Sequence, residues 1–257
     1  MLNIHPVPAF RDNYIWVIHN QDHAAVVDPG IASPVIDYLQ SEKLQLCAIL
    51  ITHHHSDHTG GIAELTQSFN VPVYGPGNES IAGITHPLRE NDSVRLEEIA
   101  VNLSVIDIPG HTRGHIAYCG STPFAMVFCG DTLFSCGCGR IFEGHAAQMY
   151  QSLQKLCRLP DDTRIYCTHE YTLGNIRFAR TADPENRKLI ELEIAVEQLR
   201  QHNIPTLPTL LSLEKAVNPF LRCDQPALIN SAQQHVAAPL PDPSRVFSVL
   251  REWKNNF

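Results

Sequence analysis

Ten consecutive residues, Thr52-His53-His54-His55-Ser56-Asp57-His58-Thr59-Gly60-Gly61, constrain this chain more than any other stretch. They follow Leu46-Cys47-Ala48-Ile49-Leu50-Ile51, a short apolar run rich in branched side chains that reads as a buried strand. The polar cluster therefore starts where a core strand stops. Alternate residues at a strand end share a face, so His53 and His55 can close on one metal ion while the turning chain sends Asp57 and His58 to a second. Without an ion, four imidazole and carboxylate groups here would pack poorly, because buried polar groups need partners. His54 reads as a bystander.

Three more predicted strands end in ligand-type residues. Val101 to Ile108 alternates apolar and polar positions and ends at Pro109-Gly110-His111-Thr112-Arg113-Gly114-His115. Ala125 to Cys129 leads into Gly130-Asp131, and Arg164 to Thr168 ends at His169-Glu170-Tyr171. Strand ends on one edge of a sheet gather their loops into a site held by a rigid scaffold. The count of donors is then His53, His55 and His111 for one ion, Asp57, His58 and His169 for the other, and Asp131 as a bridge. Three protein ligands per ion plus a shared carboxylate leave an open position, which marks a catalytic rather than a structural site. Two ions about 3.5 to 4 Å apart lower the pKa of a bridging water and hold a hydroxide ready to attack, so a hydrolase is expected. Imidazole and carboxylate donors suit zinc first, with iron and manganese as alternatives.

Elsewhere, Tyr14 to Ile18 and Ala24 to Asp28 flank the polar turn Asn20-Gln21-Asp22 and predict a hairpin. Asp28-Pro29-Gly30 ends its second strand, and Asp28 reads mainly as a turn former, secondarily as a group behind the metal ligands. Ser33-Pro34 opens a helix to about Gln40 with Ser33 as N-cap, and Thr59 to Phe69 predicts a second helix. Pro184 to His202 has helical spacing of Leu189, Ile190, Ile194, Val196 and Leu199, and proline-bearing linkers follow at Ile204 to Pro208 and Ala237 to Pro243. Residues 1–172 are read as the catalytic domain and 173–257 as a helical appendage. The two cations of Arg251-Glu252-Trp253-Lys254 could hold an anionic ligand or belong to a solvated tail.

Composition narrows the classes of function. With 257 residues, 44% hydrophobic and 18% charged, the chain matches ordinary globular proteins, and no run is long enough for a membrane span. The N-terminus lacks a signal-peptide layout, so a cytoplasmic protein is the expectation. A formal net charge of -8 argues against general nucleic-acid binding. Of the eight cysteines most lie in apolar settings as reduced structural thiols, and the single-residue spacing of Cys136-Gly137-Cys138 is not that of a zinc knuckle or a redox pair.

Thr52-His53-His54-His55-Ser56-Asp57-His58, with His111, Asp131 and His169 in order after it, resembles the T-H-x-H-x-D-H signature of the metallo-β-lactamase superfamily. Gly130-Asp131-Thr132-Leu133-Phe134, Gly137-Cys138-Gly139-Arg140, Thr168-His169-Glu170-Tyr171-Thr172, Asn218-Pro219-Phe220-Leu221-Arg222 and Arg251 to Phe257 resemble its glyoxalase II (hydroxyacylglutathione hydrolase) branch over nearly the full length. The resemblance implies an α/β fold, a four-layer αβ/βα sandwich with a C-terminal helical domain, and all seven ligands on two divalent ions. It implies hydrolysis of S-D-lactoylglutathione to D-lactate and glutathione by a monomer, with Asp57 and Asp131 anchoring the hydroxide. Arg140, Phe142, Tyr171, Arg251 and Lys254 fall at substrate-binding positions. The family usually has lysine at Arg140, tyrosine at Phe142 and aspartate at Asn255. Arg140 keeps the cation and gains a forked donor, whereas Phe142 lacks one hydroxyl. His115 reads as support behind the ligands. Other superfamily hydrolases and a glutathione persulfide dioxygenase are the competing readings.

Overall fold

The computed structural model describes residues 2–257, and they divide into two compact units. The first comprises the residues up to Asp107, Thr112–Gly130 and Tyr166–His169; the second comprises Ile108–His111, Asp131–Ile165 and Glu170–Phe257.

The first unit opens with strands β1 (Asn3–Ala9), β2 (Asn13–His19) and β3 (His23–Val27), followed by helix α1 (Ser33–Glu42) and β4 (Gln45–Leu50). Two short helices, α2 (Ser56–Thr59) and α3 (Ile62–Ser68), lead to β5 (Val73–Pro76) and β6 (His86–Leu88). β1 to β6 form one sheet in chain order: the β1-β2-β3 meander is antiparallel, and β3 to β6 run parallel. The predicted hairpin is thus β2-β3, paired from Trp16↔Val27 to His19↔Ala24. The end of β4, Ala48–Leu50, is buried on both faces, which accounts for the apolar run before the histidines. Val26, Ile49, Ile51 and Val73 from the sheet pack with Val35 and Leu39 of α1 and with Ile62 and Leu65 of α3. An antiparallel ladder of β7 (Ser93–Leu96), β8 (Val101–Asp107), β9 (Ile116–Gly120) and β10 (Met126–Gly130) follows.

Two local expectations are corrected. The N-cap of α1 is Ala32, with no side-chain cap, and the proline alone marks the start. The helix expected over Thr59 to Phe69 is two helices, because the chain breaks at Gly60-Gly61, where Gly61 N–H bonds the Pro29 carbonyl. A Cβ on Gly61 would come within 2.5 Å of that carbonyl oxygen, so the glycines serve a close backbone approach rather than helix continuity.

The second unit carries the ribbon β11 (Leu133–Phe134) and β12 (Gly137–Cys138), then helix α4 (Ala146–Leu156) and the start of β13 (Arg164–Cys167). Helices α5 (Thr172–Ala182) and α6 (Arg187–Gln201) come next, followed by β14 (Thr209–Leu210), which pairs with Arg164 and Ile165. Helices α7 (Leu211–Val217), α8 (Pro226–Val236) and α9 (Pro243–Asn255) complete the chain. Within α6 only Leu189 and Val196 are buried, while Ile194 is 55% exposed, so the apolar stripe read from spacing is narrower than expected. Phe178, Phe220, Phe247 and Trp253 make a linked set of aromatic contacts, joining α5, the segment after α7 and α9 into one core. Among the described residues no helix is long and apolar enough to cross a membrane.

Candidate metal centre and anion cavity

In the first unit the segment after β4 turns sharply, and His53 and His58 become fully buried. Asp57, His58 and His169 each offer a ligand atom, all within 4.8 Å of one another. His58 Nε2 and His169 Nε2 both lie 3.5 Å from Asp57 Oδ2, and His53 Nε2 lies 3.1 Å from His55 Nδ1. Imidazole nitrogens converging on one another or on a shared carboxylate oxygen are a donor set that fits a divalent cation.

The far sides of these rings fit the same reading. His58 Nδ1 faces Asp28 Oδ2 at 3.1 Å, and His169 Nδ1 faces Asp12 Oδ1 at 2.8 Å. A carboxylate behind a ligating histidine fixes its tautomer and raises its basicity. Asp28 is therefore more than a turn residue. It is 2% exposed, accepts from the Thr52 amide and hydroxyl at 2.8 Å each, and holds a left-handed backbone at φ 54°. Asn13 donates to Asp57 Oδ2 at 3.1 Å. His115 stacks on His53, with ring centroids 4.5 Å apart, as the supporting role expected of it requires. His54 is not among the groups whose ligand atoms converge; its ring lies edge-on to His55 at 4.9 Å and its Nδ1 pairs with Glu79 at 3.0 Å.

Gly130 ends β10 at φ 46°. A side chain there would be driven into the Thr52 hydroxyl and to within 2.8 Å of the His115 ring, so only glycine serves immediately before Asp131.

In the second unit, His111 Nε2 lies 3.4 Å from Asp131 Oδ2, and His111 Nδ1 donates to the Arg140 carbonyl at 2.8 Å, which leaves Nε2 as the ligand atom. Both residues line a cavity of about 650 Å³ whose other walls include Arg140, Phe142, Tyr171, Asn175, Arg251 and Lys254. All five substrate-position residues expected from sequence thus share this cavity with two of the expected metal ligands. Phe142 is 62% exposed and sets its ring edge-on to His111 at 5.3 Å.

The terminal cations are not a solvated tail. Arg251 is buried and donates to the Cys138 carbonyl at 2.8 Å, while Lys254 bonds the Asn175 side-chain oxygen. Asn175 in turn donates to the Ser135 carbonyl at 2.8 Å. Burial pushes the Lys254 ammonium down to about 7, helped by Arg251 and, more weakly, by Arg140. Arg140, Arg251 and Lys254 thus line one cavity together with the carboxylates of Asp131 and Glu170.

Asp12, Asn13, Glu79 and Asn175 escaped the sequence reading, since each lies far along the chain from the residue it supports. Only Asp28 carried a signal, by standing at a strand end aimed as the histidine run is. None of the eight cysteines is in a disulfide, and burial pushes the Cys136 and Cys138 thiols up, in keeping with structural roles.

The metallo-beta-lactamase superfamily model matches residues 9–169, and the hydroxyacylglutathione hydrolase C-terminus model matches residues 170–257. The chain is 60% identical over 257 residues to the hydroxyacylglutathione hydrolase of Nitrosomonas europaea, covering 100% of this chain and 97% of that one. It is 51% identical over 261 residues to that of Shewanella halifaxensis, covering both chains fully. In fold it is similar to the crystal structure of ETHE1 from Myxococcus xanthus, with TM-score 0.65 and 24% identity over 99% of this chain and 98% of that one. The family and the histidine and aspartate clusters together suggest a binuclear metal site. The chain belongs to the hydroxyacylglutathione hydrolase (glyoxalase II) family of the metallo-beta-lactamase superfamily.

Proposed function

We propose that this chain hydrolyses S-D-lactoylglutathione to D-lactate and glutathione, with His53, His55, Asp57, His58, His111, Asp131 and His169 holding two divalent ions, zinc by preference. One observation carries the reading: a single cavity joins ligand-type His111 and Asp131 to the cations Arg140, Arg251 and Lys254. A tripeptide anion with a reactive thioester needs both ends of such a cavity. Bound there, the ions would supply a nucleophile from water near neutral pH and Lewis acidity for the carbonyl.

The chain's own groups do the rest. Arg140, Arg251 and Lys254 bind the glutathione carboxylates, and Tyr171, half-exposed at the wall, lies against the peptide. Asp57 and Asp131 contribute negative charge that favours the cations, and their carboxylate oxygens can accept a hydrogen bond from the attacking water. Asp28 and Asp12 hold His58 and His169 in the tautomer with Nε2 free. A thiolate is a good leaving group, so no strong general acid is required. Residues 1–172 act as the catalytic domain and 173–257 as the substrate-binding domain, in a cytoplasmic monomer.

The test is loss of thioester absorbance on S-D-lactoylglutathione, with total metal per chain measured on the same sample. Fast hydrolysis with close to two metals supports the reading. Full metal without hydrolysis overturns the substrate, and an Asp131→Ala variant that keeps normal metal content and turnover overturns the site.

A further inference from the structure

Glu79 lies outside every ligand motif, yet its side chain is only 4% exposed. One oxygen, Oε2, lies 3.0 Å from His54 Nδ1. The other, Oε1, accepts from the Gly114 amide at 3.1 Å and from the Thr112 hydroxyl in a short hydrogen bond. Gly114 is itself required at this contact, since a Cβ there would meet the Glu79 side chain at 2.5 Å. One buried carboxylate thus grips two loops. The first carries His54, flanked on either side by His53 and His55. The second begins one residue after His111.

We propose that Glu79 is a positioning residue for the metal centre, holding through His54 and through Thr112 and Gly114 the two loops that present His53, His55 and His111. The inference rests on the metal reading above but not on the substrate assigned there. Without ions, the imidazoles that a loop presents gain little by converging, so a separate tether must keep the loops in place. A carboxylate that accepts three hydrogen bonds suits that task, because each donor bonded to a charged oxygen makes a bond about twice as strong as a neutral pair. Its reach also gives His54 a partner although that ring is not among the converging ligand groups.

The experiment compares zinc-loaded full-length wild type with Glu79→Ala, Glu79→Gln and His54→Ala, following zinc release to a colorimetric chelator and the zinc dissociation constant. Far-ultraviolet circular dichroism and the melting temperature of the metal-free proteins serve as the folding control. Glu79→Ala is expected to weaken zinc by about 10- to 100-fold, the usual effect of removing a group behind the ligands, with secondary structure unchanged. Glu79→Gln, which keeps one acceptor for Thr112 and Gly114 and can turn its amide to His54, should recover most of the loss. The Glu79→Ala/His54→Ala pair should be less than additive. Zinc affinity within twofold of wild type in a folded Glu79→Ala protein overturns the proposal, as does a Gln variant no better than Ala. Should Glu79→Ala not fold, His54→Ala decides: wild-type zinc release in that variant overturns it. Because zinc is the readout, failure here is separable from failure of the thioester assignment.

Discussion

Asp28 Oδ2 stands 3.1 Å behind His58 Nδ1, on the side of the ring away from Asp57, while the same carboxylate accepts the Thr52 amide and hydroxyl. A single buried side chain thereby faces one candidate metal ligand and anchors the turn that launches the histidine run. Asp28→Asn keeps the size and tolerates the left-handed backbone but removes the charge. It should weaken metal at the Asp57, His58, His169 position by about 10- to 100-fold, read by chelator competition. Unchanged affinity would show that His58 needs no carboxylate behind it.

Lys254 makes ligand binding sensitive to pH. Its ammonium, lowered to about 7 by burial and by Arg251, is charged below that value and neutral above it. Affinity for S-methylglutathione, measured by calorimetry, should fall as pH rises through about 7, and binding near pH 7 should take up protons. In Lys254→Met binding is weaker at low pH and the slope is lost. An identical slope in that variant would assign the titration elsewhere.

The same shift has a consequence for stability with the opposite look. A lysine with a depressed folded pKa opposes folding most below about 7, and the opposition fades as pH rises towards 10.5. Ligand-free Lys254→Met should therefore melt higher than wild type at about pH 6, the gap closing at alkaline pH. A constant gap across that range would contradict the assignment.

The thiols should be inert. Burial raises Cys47 and Cys157 to about 11 and Cys119 to about 12, and lifts Cys136, Cys138 and Cys223 as well. Since the thiolate is the reactive form, native protein at neutral pH should alkylate slowly and react fully only after denaturation. Rapid labelling of Cys136 or Cys138, followed by mass spectrometry of peptides, would reopen a redox role.

Phe142 offers a gain-of-function test. Its exposed ring beside His111 leaves room for a hydroxyl. Phe142→Tyr should lower KM for the glutathione thioester by about two- to tenfold, the value of one net hydrogen bond of about 0.5 to 1.5 kcal/mol, at similar kcat. A KM unchanged or raised would place the missing contact elsewhere.

The candidate metal ligands are legible in the sequence because each of the four strands carries its donor at or just past its end, where local pattern and chemistry coincide. His53, His55, Asp57, His58, His111, Asp131 and His169 all announce themselves by type and by the turn beside them. The hairpin of β2 and β3 was legible for the same reason, through alternation and a polar turn. The end of the helix after His58 was not, because Gly60 and Gly61 answer to the Pro29-Gly30 backbone, some thirty positions earlier in the chain.

What the sequence alone determined is the set of donors, their order, and the strands that present them, since these follow from period-two patterning and side-chain type. What only the tertiary structure decided is who stands behind each donor: Asp28 behind His58, Asp12 behind His169, Glu79 against His54, and Asn175 against Lys254. Those pairings join residues 25 to 157 positions apart, apart from any local signal. They also turn Arg251 and Lys254 from a charged tail into a cavity wall with a shifted ammonium. Burial and hydrogen-bond satisfaction are properties of the packed chain, so they set the electrostatics that spacing along the sequence cannot encode.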